Sequence, residues 1–96
     1  VKGMAKARAA RVRLALGKLD EAEALAREAV KQGEGQVEPL ATLVDVLYRA
    51  GKRDEARTHF QALRAVAARA DLDVPLLARL APAAREFGFP ADWRQP

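Results

Sequence analysis

The 96-residue chain contains no cysteine, serine, asparagine or isoleucine, and a single histidine, His59. Without cysteine there is no disulfide, no thiolate metal site and no thiol nucleophile, and no indication of redox compartment, since a cysteine-free chain suits reducing and oxidising surroundings alike. Without serine or cysteine the commonest covalent nucleophiles are missing, and without asparagine there is no acceptor for N-glycosylation. Aromatic residues make up 5% of the sequence, which leaves few rings for stacking nucleic-acid bases. No run of about 18 apolar residues is present, so nothing spans a membrane as a helix, and no charged-then-apolar leader resembles a signal peptide. The length is that of one domain and is short for a multi-substrate enzyme. A start at Val1 is what a segment of a longer protein would show, so a leader upstream would be invisible and localisation stays open.

Alanine and arginine dominate what is present, a bias that a GC-rich genome also produces. The net charge is +4, unevenly distributed. Residues 1–18 carry six basic groups and no acid, residues 20–45 seven acids and two bases, and residues 46–70 six bases and two acids. On a helix, Arg8, Arg11 and Lys18 share one side while Lys2, Lys6 and Arg13 lie on another. The charge therefore wraps the first helix instead of forming a stripe, and nucleic-acid binding through it ranks below a solvated or partner-facing surface.

An internal repeat organises the chain. Gly17-Lys18-Leu19-Asp20-Glu21-Ala22 recurs 34 residues later as Gly51-Lys52-Arg53-Asp54-Glu55-Ala56, identical at five of six positions, and the same offset pairs Val12 with Val46 and Ala7 with Ala41. Before the second glycine, Leu40, Leu43, Val44 and Leu47 follow the i, i+3, i+4, i+7 spacing of an amphipathic helix; Ala5, Ala9, Val12 and Leu16 form a weaker stripe before the first. Gly17 and Gly51 stand where a helix ends in a left-handed residue, which glycine adopts at least cost. Asp20 and Asp54 are placed to cap the next helix, with Glu23 completing a capping box. Ala22, Leu25, Ala26, Ala29 and Val30 then form one apolar face, and Ala56, Phe60, Leu63 and Ala67 its counterpart. Each copy reads as a helix–turn–helix hairpin.

This pattern resembles the tetratricopeptide repeat. In the second copy Leu40, Leu43, Gly51, Ala56 and Phe60 fall on the family's preferred positions, with Val44 and Leu63 replacing small residues. In the first copy Ala10, Gly17, Ala22 and Ala29 match, while Lys6, Arg13 and Ala26 occupy sites that usually carry large groups, and neither copy has the usual closing proline. The resemblance covers about residues 4–70. It implies an all-α fold of helix–turn–helix repeats, a fragment of an α-solenoid with about five helices: repeat 1 over about 4–33, repeat 2 over about 37–70, and a cap over 71–96.

In the cap, Asp73 and Pro75 mark a helix start, Leu76, Leu77, Leu80 and Ala84 supply an apolar face, and Pro82 either kinks the helix or splits it, a second piece then closing at Gly88. The aromatic tail through Phe87, Phe89 and Trp93 is expected to fold back over the exposed end of the core. Residues 31–36 read as a connector. Gly33-Glu34-Gly35 lacks the third glycine and the preceding strand of a dinucleotide-binding loop.

No constellation of catalytic residues, metal ligands or cofactor-binding groups emerges. His59 stands one turn beyond Glu55, without further convergent ligands, and the pairs Asp20/Glu21 and Asp54/Glu55 recur as helix starts, not as acid/base dyads. The resemblance implies a non-catalytic protein-interaction or scaffolding module whose concave groove is lined by first helices, with Arg11 and Leu14 from the first copy, Asp45, Tyr48 and Arg49 from the second, and Arg79 from the cap. The occupant is a protein or peptide, or another copy of the chain. Clamping of a chaperone's terminal carboxylate is set aside, because that mode uses paired asparagines. An accessory domain at the C-terminal end of a larger, possibly enzymatic, chain is the alternative. Two repeats and a cap are few for a continuous core, so the first helix is expected to present an apolar side to preceding repeats or a dimer mate.

Overall fold

The computed structural model describes residues 4–33, 36–67 and 79–89. These form helices α1 (Met4–Ala15), α2 (Leu19–Gln32), α3 (Val37–Arg49), α4 (Arg53–Ala67) and a short α5 (Ala81–Glu86). Helices α1 and α2 pack as one hairpin and α3 and α4 as the next, with α3 also lying against α2 and α1. Among the described residues there is no strand.

The turns follow from their glycines. Gly17, Gly51 and Gly88 have φ of 80°, 82° and 79°. At the first, the Gly17 amide donates to the Leu14 carbonyl and the Lys18 amide to that of Arg13; at the second, Gly51 donates to Tyr48 and Lys52 to Leu47; at the third, Gly88 donates to Arg85 and Phe89 to Ala84. Each is a Schellman closure, which satisfies carbonyls that the helix end leaves free. Because the closure is so short, Lys18 is both the last residue of the turn and the N-cap of α2, which begins at Leu19.

That geometry corrects the capping expectation. Asp20 and Asp54 lie inside the first turns of α2 and α4, and no side chain caps α2. Glu23 does not reach back to form a capping box; it accepts from Arg27 and Lys52. The acids still favour helix starts by opposing the positive end of the dipole.

Helix α3 is the centre of the molecule, buried without interruption from Pro39 to Leu47. One core cluster joins its Val37, Leu40, Ala41 and Val44 to Phe60 and Leu63 of α4 and to Leu80, Ala83 and Ala84. The other joins Leu43, Val46 and Leu47 to Ala10, Ala22 and Ala26 of the first hairpin and to Ala56. Burying a side chain such as Phe60 or Leu63 contributes about 1.5–3 kcal/mol.

Helix α1 departs from its expected face. Ala7 and Ala10 are buried and Leu14 packs on the core, whereas Ala5 is exposed, Ala9 half-buried, and Val12 and Leu16 are 53% and 62% exposed. Alanines occur on every side of this helix, so their period does not choose which face turns inward. The stripe Ala5, Ala9, Val12 and Leu16 thus lies toward the outward side of the hairpin.

At the other end, Pro82 lies in the first turn of α5, where its missing N–H costs nothing, and the helix closes at Gly88. Phe87 stands edge-on to both Phe60 and Tyr48 at 6.0 Å, and Phe89 lies 5.1 Å from Phe60, so this part of the aromatic tail does fold back. Asp73, Pro75, Leu76, Leu77 and Trp93 lie outside the described residues.

Candidate partner-binding surface

Helix α3 carries Glu38, Thr42, Asp45 and Arg49 at spacings of four, three and four, which places them in one file along the helix. Thr42 and Asp45 are the two buried polar residues of the core register. Arginines from three segments close over this file. Arg11 of α1 donates to Thr42 Oγ1 at 3.4 Å and lies 3.7 Å from Glu38. Arg49 donates through Nε to Asp45 Oδ1 at 2.8 Å. Arg79, in the turn before α5, brings Nη2 to 3.8 Å from Asp45 Oδ2, which makes no hydrogen bond.

The Asp45 carboxylate is 3% exposed, while the Arg49 and Arg79 side chains are 47% and 51% exposed. A buried carboxylate costs stability unless cations compensate it, and here two guanidinium groups do so from the solvent side. The consequence is a pair of half-exposed arginines, one hydrogen-bonded and one ion-paired to the same buried carboxylate. Guanidinium forks recognise carboxylates and carbonyls in defined directions, which a lysine does not.

The structure thus brings together four of the residues read from the sequence: Arg11, Asp45, Arg49 and Arg79. The other two stand apart from this file. Leu14 packs on the second core cluster. Tyr48 is half-buried against both clusters, donates its hydroxyl to Glu86 Oε1 at 3.2 Å and lies under the Arg53 guanidinium at 4.1 Å. Arg53 also pairs with Glu86, and this pairing holds that carboxyl below its usual range. Glu38 and Thr42 were missed in the sequence. Their signal was present as two further polar positions on an otherwise apolar helix, in register with Asp45 and Arg49.

A second polar cluster joins the two hairpins. Glu23 accepts from Lys52 and Arg27, and Arg27 donates to Glu55. The hydrogen bond from Lys52 is the main cause that holds the Glu23 carboxyl below its ordinary value, with Arg27 adding to it against partial burial. Arg27 does the same for Glu55. His59, half-buried on α4, is pushed below the ordinary imidazole value, first by burial and then by the Arg27 charge, with Glu55 opposing. Among the described residues no three histidine, aspartate or glutamate side chains come together as a metal site. On α1, Lys6 pairs with Glu28 and Arg13 lies 3.7 Å from Glu21, so carboxylates of α2 meet part of the basic charge of residues 1–18. No described helix is long and apolar enough to cross a membrane.

Compared with known proteins, the chain matches no curated protein and no solved structure at a significant level. The family model of the tetratricopeptide repeat matches residues 13–80, spanning both glycine turns and the α3 file. The chain therefore belongs to the tetratricopeptide repeat family, whose repeats generally mediate protein–protein interaction.

Proposed function

We propose that the chain is a non-catalytic interaction module that holds a peptide, or an extended segment of a partner protein, along the α3 file of Glu38, Thr42, Asp45 and Arg49. In this reading residues 4–33 and 37–70 are the two repeats and 71–96 the cap. The observation that carries it is that Arg11, Arg49 and Arg79, from three segments, gather around half-buried Glu38 and the buried Thr42 and Asp45. The exposed donors of Arg49 and Arg79 contact carboxylate or carbonyl oxygens of the partner. Asp45 acts as their positioning residue and leaves Oδ2 for one further donor. Leu14 and Tyr48 contribute by packing behind this surface, Tyr48 by fixing α5 and hence the approach of Arg79. A free module and an accessory domain of a larger chain use this same surface.

The test is selection of peptides from a random display library against the 96-residue chain, with affinities then measured for an Arg49→Ala, Arg79→Ala double variant. A hydrogen bond to a charged group is worth about 1.5–3 kcal/mol, so each arginine accounts for roughly a tenfold change in Kd or more. Selected peptides that bind the double variant equally well, with its helical circular dichroism intact, overturn the reading. So does tighter binding of single-stranded nucleic acid that weakens steeply between about 50 and 200 mM salt, which is the signature of phosphate contacts.

A further inference from the structure

Helix α1 carries the cations Lys6, Arg8, Arg11 and Arg13. Three of them meet acids: Lys6 pairs with Glu28, Arg13 lies 3.7 Å from Glu21, and Arg11 lies 3.7 Å from Glu38. Arg8 is exposed and has no acidic partner among the described residues. It stands three residues before Arg11, so the two share a side of the helix. The 34-residue offset identifies that side. Arg8 and Arg11 are the counterparts of Thr42 and Asp45, so they continue onto α1 the file that α3 presents. Helices α1 and α3 lie against each other, and Arg11 already joins them by donating to Thr42.

The charges on this joined surface do not cancel. Four arginines, Arg8, Arg11, Arg49 and Arg79, stand against two carboxylates, Glu38 and Asp45, an excess of two positive charges. The excess lies at the ends. Glu38 matches Arg11, Arg8 is unmatched on one side, and on the other Arg49 and Arg79 share Asp45 alone. Resting on the reading above, in which a partner segment lies along this surface, we infer that the segment is acidic, with one carboxylate side chain for Arg8 and a second for Arg49 and Arg79. Between them a third acid gains nothing, because Arg11 is already matched. Packed helices lie about 8–10 Å apart. Asp45, which Arg49 and Arg79 share, is three residues past the counterpart of Arg8, a rise of about 4.5 Å. An extended chain covers that diagonal at about 3.3 Å per residue, which puts the two acids roughly three or four residues apart. Both are side chains within the segment, so its C-terminal carboxylate is not needed. The segment belongs to another protein. Every acid among the described residues of this chain lies in a helix, and a second copy therefore offers no extended acidic segment from them.

The test sorts a random-peptide display library on the 96-residue chain, with each peptide joined to its carrier through its C-terminus so that no free carboxylate is presented. Selected peptides should carry two acids three or four residues apart, and moving the acids next to each other should weaken binding. Arg8→Ala should raise Kd by roughly threefold to fivefold, as loss of an exposed ion pair does, and Arg8→Glu by roughly tenfold, with the thermal midpoint of the chain unchanged in both. Lysine in place of one of the two peptide acids should restore binding to the Arg8→Glu variant. Peptides that depend on Arg49 and Arg79 but lack the acid pair, or bind Arg8→Glu as tightly as the unaltered chain, overturn this inference and leave the proposed function standing. Peptides indifferent to Arg49→Ala with Arg79→Ala overturn both. A single-stranded DNA oligonucleotide that binds more tightly than any selected peptide, and is released by Arg8→Glu, assigns the surface to phosphates and overturns the inference as well.

Discussion

Helices α1 and α3 occupy the same place in successive 34-residue units, yet α3 is buried through its middle and α1 on one side only. Residues 39–47 of α3 are buried throughout, whereas α1 buries Ala7 and Ala10 and leaves Val12 and Leu16 largely in solvent. The turns that follow them are alike in hydrogen bonding and in φ. Local chemistry therefore fixes the hairpin, and the neighbours on either side decide what each helix contributes to stability. In a solenoid built of such units, an end helix is a surface by virtue of position alone.

The largest expected effects separate the two helices. Phe60→Ala should cost about 3–5 kcal/mol and Leu47→Ala about 2–5 kcal/mol, since both side chains are fully buried. Val12→Ala and Leu16→Ala should stay within about 0.5 kcal/mol, as exposed substitutions do. Chemical denaturation of the four variants checks the contrast, which breaks if either α1 variant loses as much as Leu47→Ala.

The turns should instead behave alike. Gly17→Ala and Gly51→Ala each force an alanine to a φ near +80°, at a cost of about 1–2 kcal/mol. An added Cβ meets nothing within 4 Å at either site, so the cost is conformational and the two variants should agree in thermal midpoint. Smaller still, Asp20→Ala and Asp54→Ala should each lose only the dipole contribution of about 0.3–1 kcal/mol, because neither is an N-cap. A loss near 2 kcal/mol at either would restore the capping role.

The pH dependence sharpens the comparison at the junction of the hairpins. His59 titrates lower in the folded chain than in the unfolded one, so the folded state binds fewer protons and stability falls as pH drops below about 6.5. Glu23 and Glu55 are likewise depressed, so their contribution is present above the ordinary carboxylate value and is lost as pH falls below it. Urea midpoints between pH 7.5 and 3 should therefore decline in two stages. His59→Gln should flatten the upper stage alone, and Glu23→Gln should reduce the lower one. Salt should shrink the lower stage, since the cationic partners Arg27 and Lys52 and the carboxylate of Glu55 are well exposed.

The hairpins, their glycine turns, the core face of α3 and the closure at Gly88 were legible in the sequence because each rests on local spacing or on a backbone conformation that favours glycine. The caps were misread for a geometric reason. A Schellman turn makes Lys18 the next N-cap and draws Asp20 into the helix, a shift of two positions that composition does not register. The orientation of α1 was illegible because an alanine-rich helix offers apolar groups on every side, and the packing of Ala7, Ala10 and Leu14 decides the matter. At the candidate surface, the resemblance named Arg11, Asp45 and Arg49 on first helices and Arg79 in the cap, and the structure gathers these four around one file of α3. The burial of Asp45 beneath two arginines depended on Arg79, 34 residues away in sequence, and could not be read from α3 alone.

Native-state hydrogen exchange, resolved by residue in the isolated chain, tests most directly whether the same unit is held in two different surroundings. Amides in the middle of α3 should exchange only by global unfolding, while those of α1 should open with a lower free energy and exchange faster. Equal protection of the two helices in a monomeric sample would contradict the account, because it would mean that α1 needs no neighbour on its outer face to be as stable as α3.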